Sequence, residues 1–215
     1  MLAPATTPAG EQKFDEFVHD LLSICPTSEL FVLPKNTEIL TTTDRSRNAR
    51  VVTYDVTSAA RTYSASGSGV LVDYNGTSDE ADTPDVAGLS FGDGVSDSPF
   101  SIVVLCKPDV NNALMTLLAK ENDAAAEEWG LELNASGHLV LRLTDESATG
   151  TIVGTYATAV GTDLTLLGAT YDGSRSAAGI TCYKNGAAQT TALSGSSYTA
   201  MENTAALVHL GARYT

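Results

Sequence analysis

Short apolar runs broken by turn residues dominate the chain from Phe100 to Tyr171. The run Phe100-Ser-Ile-Val-Val-Leu-Cys-Lys-Pro108 is followed by Leu118-Ala-Lys-Glu121, Trp129-Gly-Leu-Glu-Leu133, His138-Leu-Val-Leu-Arg-Leu143 and Ala169-Thr-Tyr-Asp-Gly-Ser174. This spacing predicts an all-β antiparallel sandwich. Trp129, Leu131 and Leu133 alternate toward one side, and after the Ala135-Ser136-Gly137 turn Leu139, Leu141 and Leu143 do the same. That is the pattern of a hairpin with one buried face, and it places Trp129 in the core. Leu30–Leu33, ended by Pro34, and Val51–Tyr54, Gly69–Tyr74 and Ile180–Lys184 read as further strands. Asn75-Gly76 predicts a tight type I′ hairpin turn, because both positions accept positive φ, and Asp172-Gly173 and Asn185-Gly186 mark two more turns. The stretch 79–98 is the longest loop-like one, with Leu89 and Phe91 as its anchors.

A different period holds near the N-terminus. Residues 1–10 are largely Ala, Thr, Pro and Gly and predict an extended arm. Phe14, Phe17, Val18, Leu21 and Leu22 then fall at i, i+3, i+4, i+7 and i+8, one face of a helix that Pro26 stops. The stripe either packs on the sandwich or docks on another molecule as an assembly helix. The expected organisation is an arm and helix over 1–28 and a sandwich over 29–215.

Bulk properties narrow the partners. The chain has 215 residues, 43% of them hydrophobic, enough for one substantial core. Twelve Lys and Arg against 26 Asp and Glu give a net charge of −14. No stretch joins basic residues to aromatics, so nucleic acid is not an expected partner, whereas a basic patch or a cation is compatible with this charge. Cys25, Cys106 and Cys182 make an odd count, and the latter two sit in apolar strand contexts, which predicts free thiols rather than a disulfide framework. The N-terminus lacks the basic start and apolar run of a secretory signal, and no run approaches transmembrane length. Synthesis and assembly in a reducing cytoplasm, with no membrane partner, is the expectation.

In order, these segments resemble the laminin-G-like branch of the concanavalin-A-like jelly rolls. The resemblance rests on Phe100–Pro108, the Leu-Ala-Lys segment at 118–120, Trp129-Gly-Leu131, Gly137-His-Leu139, Ala169–Ser174 and Tyr183-Lys-Asn-Gly186, with Val72–Asp79 and Asp44–Asn48 upstream. It spans roughly Leu30 to Tyr214. Two positions depart from it. Leu164-Thr-Leu-Leu167 stands where the family often has an aromatic and a His, and the family usually adds a strand beyond a segment like Leu207–Arg213. A sandwich without that strand is expected to leave an open sheet edge for another chain or a rearranged terminus to cover.

Candidate chemistry is sparse. Relatives in this fold include glycoside hydrolases, whose acid and nucleophile flank one bond about 5 Å apart. Glu127, Glu128 and Glu132 lack the required alternation. His19, His138 and His209 accompany no Gly-x-Ser-x-Gly elbow and no zinc-ligand spacing, so they read as surface or packing residues. No catalytic residue, cofactor or enzymatic activity is expected. Laminin-G-like domains often bind calcium through loop carboxylates and carbonyls, and Asp73, Asn75, Asp79, Glu80 and Asp82 supply oxygen ligands at close spacing, without EF-hand register. Solvated turn residues are the other reading of these five. Glycan recognition rests on the resemblance, with Tyr54, Tyr63, Tyr156 and Tyr198 as candidate exposed aromatics.

The expected function is a non-enzymatic structural or display protein of a virus particle, a bacteriophage capsid decoration or spike subunit. It would contact other virion proteins and itself as a homo-oligomer through Phe14, Phe17, Val18, Leu21 and Leu22. Laminin-G-like sandwiches without signal peptides recur among phage virion proteins, which assemble in the host cytoplasm. The alternative is a carbohydrate- or protein-binding module of a bacterial surface system, with calcium at its loop rim.

Overall fold

A computed structural model describes residues 41–43, 48–55, 63–66, 69–72, 74–76, 79–122 and 126–211. The expected arm, the helix carrying Phe14, Phe17, Val18, Leu21 and Leu22, the Leu30–Leu33 strand, Cys25, His19 and Asp73 lie outside them.

Among the described residues the strands are β1 (Thr41–Thr43), β2 (Val51–Asp55), β3 (Tyr63–Ser66), β4 (Gly69–Val72), β5 (Glu80–Thr83), β6 (Phe100–Cys106), β7 (Met115–Glu121) and β8 (Glu127–Leu133). There follow β9 (Leu139–Asp145), β10 (Gly150–Tyr156), β11 (Thr165–Tyr171), β12 (Ile180–Lys184), β13 (Ala187–Ala188), β14 (Thr191–Ser196) and β15 (Val208–Leu210). They form a nine-stranded sheet in the order β1-β2-β5-β15-β7-β8-β9-β10-β14, a four-stranded sheet in the order β13-β12-β11-β6, and the separate pair β3-β4. Every pairing is antiparallel.

The two larger sheets stack as a sandwich because their inner faces share one core. Trp129, Leu131, Leu133, Leu139, Leu141, Leu143 and Ile152 from the large sheet meet Phe100, Ile102, Leu167, Ala169, Tyr171, Ile180 and Cys182 from the small one. Fully burying each large apolar side chain stabilises the fold by about 1.5–3 kcal/mol. Trp129 occupies the predicted core position, its indole N–H donating to Leu89 O at 2.9 Å. Leu89 and Phe91 anchor their loop as expected, Phe91 stacking on Phe100 with centroids 4.2 Å apart. Where β10 passes beneath β12, a Cβ on Gly154 would lie 2.3 Å from Ile180 Cγ2, so only glycine permits this approach of the sheets.

Several local expectations are met and several are corrected. Asn185 (φ 52) and Gly186 (φ +79) close a two-residue hairpin between β12 and β13, with Lys184 opposite Ala187. Asn75-Gly76 makes no such hairpin, because β4 pairs with β3 while β5 pairs with β2 and β15. Instead Asn75 and Asp79 each accept the other's backbone N–H, at 3.1 and 3.3 Å, and close a wider loop. The stretch beginning at Asp79 is not all loop, since Glu80–Thr83 is a strand whose Ala81 and Thr83 are buried. The β8–β9 hairpin is buried on both faces rather than one: Glu132, Val140 and Thr144 are under 10% exposed, and Arg142 lies 3.6 Å from where a Cβ on Gly130 would sit. The open edge expected near Leu207–Arg213 is absent, because β15 is flanked by β5 and β7. Among the described residues the edges fall at β1 and β14 in the large sheet and at β13 and β6 in the small one.

Candidate functional site

The acidic residues explain how the rim of the sandwich is built. Between β14 and β15 the chain runs from Ser197 to Leu207 without strand structure, yet Ala200, Met201 and Ala206 are fully buried. Buried backbone N–H groups need acceptors when no sheet supplies them. Three carboxylates provide them. Asp145 accepts from Thr199 N at 2.6 Å and Ala200 N at 3.3 Å, Asp97 from Met201 N at 2.9 Å, and Glu128 from Thr204 N at 2.7 Å. Asn122 Oδ1 accepts from Leu207 N at 2.9 Å. The carbonyls of Thr204 and Ala206 accept from the Lys120 ammonium at 3.1 and 2.9 Å.

Asp97 also joins two tyrosines, accepting from Tyr171 Oη at 2.7 Å and Tyr198 Oη at 2.6 Å. Burial, then the bond to Asp97 and its negative charge, push both phenols well above their usual range. Tyr171 Oη accepts in turn from Arg175 N at 2.6 Å. That bond holds Arg175 at φ 58, and its guanidinium donates to Val95 O at 3.0 Å. Asp93 caps the same loop, accepting from Val95 N and Ser96 N at 2.9 and 2.7 Å, and these backbone bonds lower its pKa. Three loops are thereby fixed against one another.

Beside this rim, at the β14 edge, lies an open groove of about 400 Å³. Ile152, Ala177 and Leu193 give it an apolar floor, and Arg175, Ser194, Ser196 and Tyr198 supply polar groups. Leu193 is 47% exposed although it faces the intersheet side. Of the tyrosines considered as exposed aromatics, Tyr54 and Tyr156 are instead buried in the core, because each points inward from its strand, while Tyr198 lines the groove.

Of the oxygen-rich run, the described residues Asn75, Asp79, Glu80 and Asp82 are engaged at separate points. Asn75 and Asp79 are engaged with each other, Glu80 lies 3.3 Å from His209 Nδ1, and Asp82 stands opposite Thr53 and His209 in the sheet. Among the described residues no three His, Cys, Asp or Glu side chains converge on a metal-sized site. Glu121, Glu127 and Glu128 are each held in an ion pair. Glu128 sits 3.0 Å from Lys120 Nζ, and burial raises its pKa against the pull of Lys120 and Thr204. Glu127 and Glu121 pair with Arg142. His138 Nδ1 lies 2.9 Å from Tyr156 O, and His209 is buried in the large sheet. Cys106 and Cys182 are free, and burial pushes the Cys106 thiol up to about 11.

No protein-family model matches the chain, and no characterised protein matches it in sequence. Among solved structures it is similar to the botulinum neurotoxin serotype G binding domain, with a TM-score of 0.49 and 11% identity. The alignment covers 79% of this chain and 43% of that one, so the chain spans less than half the length of the protein it matches.

Proposed function

We propose that the protein is a non-catalytic binding module whose groove beside β14 holds a saccharide chain. The observation that carries this reading is the groove itself: an apolar floor of Ile152 and Leu193, flanked by hydroxyls and the Arg175 guanidinium, on a rim already locked by Asp97. Sugars present alternating C–H and hydroxyl faces, and such a surface matches both without needing an enclosed pocket. A rim fixed before binding loses little entropy on binding. The carboxylates near the rim accept from backbone N–H groups and phenols, which supports a structural role for them in holding the loops.

A glycan array, followed by calorimetry on the best ligand, tests this reading. Arg175→Ala is expected to weaken binding at least tenfold, while the thermal midpoint falls only by the share of its one exposed bond to Val95 O. Absence of binding across neutral, acidic and sulfated glycans sinks it. Display on a virus particle is a second, compatible setting, favoured by the uncharged apolar edge strand β6, a surface suited to a subunit packed against neighbours. Detection of the chain in purified particles by mass spectrometry tests that setting.

A further inference from the structure

We infer that Lys120 and Asp85 become covalently joined in the folded chain, by an amide bond between the lysine side-chain nitrogen and the aspartate carboxyl carbon, with Glu128 carrying the proton. Lys120 Nζ lies 2.8 Å from Asp85 Oδ1 and 3.0 Å from Glu128 Oε1. The Lys120 and Glu128 side chains are completely buried, while that of Asp85 is 32% exposed. A buried amine is thus held between two carboxyl groups, one of which opens to solvent. Two carboxylates around one buried ammonium leave a surplus negative charge, which a proton on one acid removes. Glu128 is the acid suited to hold it. Its Oε1 takes the contacts from Lys120, Thr204 N, Thr204 Oγ1 and Ser90 Oγ, whereas Oε2 is buried with no hydrogen-bond partner among the described residues. Burial raises its pKa accordingly.

The reaction is a condensation. Proton transfer makes Nζ a neutral amine, which attacks Asp85 Cγ. One Nζ–Cγ bond forms and one Cγ–O bond breaks. The ammonium gives up two protons and the carboxylate one oxygen, and these leave together as water past the exposed side of Asp85. Glu128 takes a proton from Nζ and returns it to the departing oxygen, so it ends as it began. Free ions in water do not condense in this way, and two features of the site reverse the balance. Groups held in contact react as though at an effective concentration on the order of 10⁵ M or more. The product is uncharged, so the desolvation cost of the buried ions disappears. The remaining amide N–H keeps acceptors in Thr204 O and Ala206 O, which lie 3.1 and 2.9 Å from Nζ. The bond ties β7 to the segment after β5 across 35 positions of sequence. It uses no residue of the β14 groove, and its failure leaves the saccharide reading untouched.

Intact-mass spectrometry of the full chain, purified folded and then denatured, tests the inference. The expected mass is one water below that of the sequence. Trypsin should leave Lys120 uncleaved and release one branched peptide that carries both Lys120 and Asp85. Asp85→Ala, altered at a partly exposed side chain, should lose the branched peptide completely and show the full mass of its own sequence. Glu128→Gln, checked for an unchanged circular dichroism spectrum, should yield at least tenfold less of it. An unaltered chain of full mass overturns the inference. So does a loss of water that maps to a succinimide at Asp93-Gly94 or Asp172-Gly173. A Glu128→Gln chain linked as completely as the unaltered one overturns the part assigned to Glu128.

Discussion

Lys120 Nζ lies 3.0 Å from Glu128 Oε1, and both side chains are completely buried. The pair forms where the β7–β8 register shifts between Lys120 and Glu121 and leaves Glu128 as the extra residue of a bulge. From there Glu128 reaches Thr204 while Lys120 reaches Asp85, Thr204 O and Ala206 O. One ion pair thus ties the sheet to two strandless segments.

Removing one member of this pair strands the other charge. Lys120→Met is expected to lower stability by about 3–5 kcal/mol, the usual cost of an uncompensated buried ion. Lys120→Met with Glu128→Gln should recover part of the loss, because glutamine still accepts from Thr204. Urea denaturation of the two variants checks this, and a double variant no more stable than the single one contradicts it.

The Asp97 clamp predicts a smaller effect. Tyr198→Phe removes one hydrogen bond to a carboxylate, for a loss of about 1.5–3 kcal/mol. Because Tyr198 lines the groove, the same variant should also weaken any groove ligand, and calorimetry beside thermal melting separates the two effects.

Asp145 makes stability depend on acidity. Burial raises its pKa, but backbone N–H bonds from Thr199, Ala148 and Ala200 and the Ser147 hydroxyl outweigh it, so the native pKa lies below the unfolded one. The resulting stabilisation is complete above the unfolded value of about 3.9 and fades as pH falls through the lower native value. The urea midpoint difference between the unaltered protein and Asp145→Asn should therefore be constant near neutrality and shrink below about pH 4. A difference undiminished at pH 2 contradicts this.

The thiols give a kinetic test. With Cys106 raised to about 11 and Cys182 also raised by burial, neither is appreciably ionised at pH 8. Both are expected to react with a disulfide reagent far more slowly in the native protein than in urea. Peptide mapping of the labelled sites distinguishes them from Cys25.

The hydrophobic alternation of Trp129–Leu133 and Leu139–Leu143 made the β8–β9 hairpin legible from sequence, and two adjacent positive-φ formers did the same for Asn185-Gly186. Other strands carry no such signature. Glu80–Thr83 becomes a strand by lying between β2 and β15, and Thr191–Ser196 is nearly all exposed, so neither shows an apolar period. The rim was illegible for a different reason. Asp97 meets Met201 across 104 positions and Glu128 meets Thr204 across 76, and no local pattern announces that a loop acid will serve a distant backbone. The groove inherits this, since Arg175 and Leu193 are brought together by the sandwich rather than by spacing.

Gly154 sets how closely the two layers meet beside the groove. With no side chain between β10 and Ile180, the two layers pinch together one strand short of the β14 edge. Leu193, opposite Gly154 on β14, is then left overhanging beyond the pinch. Alanine at 154 would act as a wedge, tilting β14 relative to the small sheet and reshaping a groove it does not line. The shape of the groove is thus governed from inside the fold, and a substitution that changes it need not lie among the residues that line it.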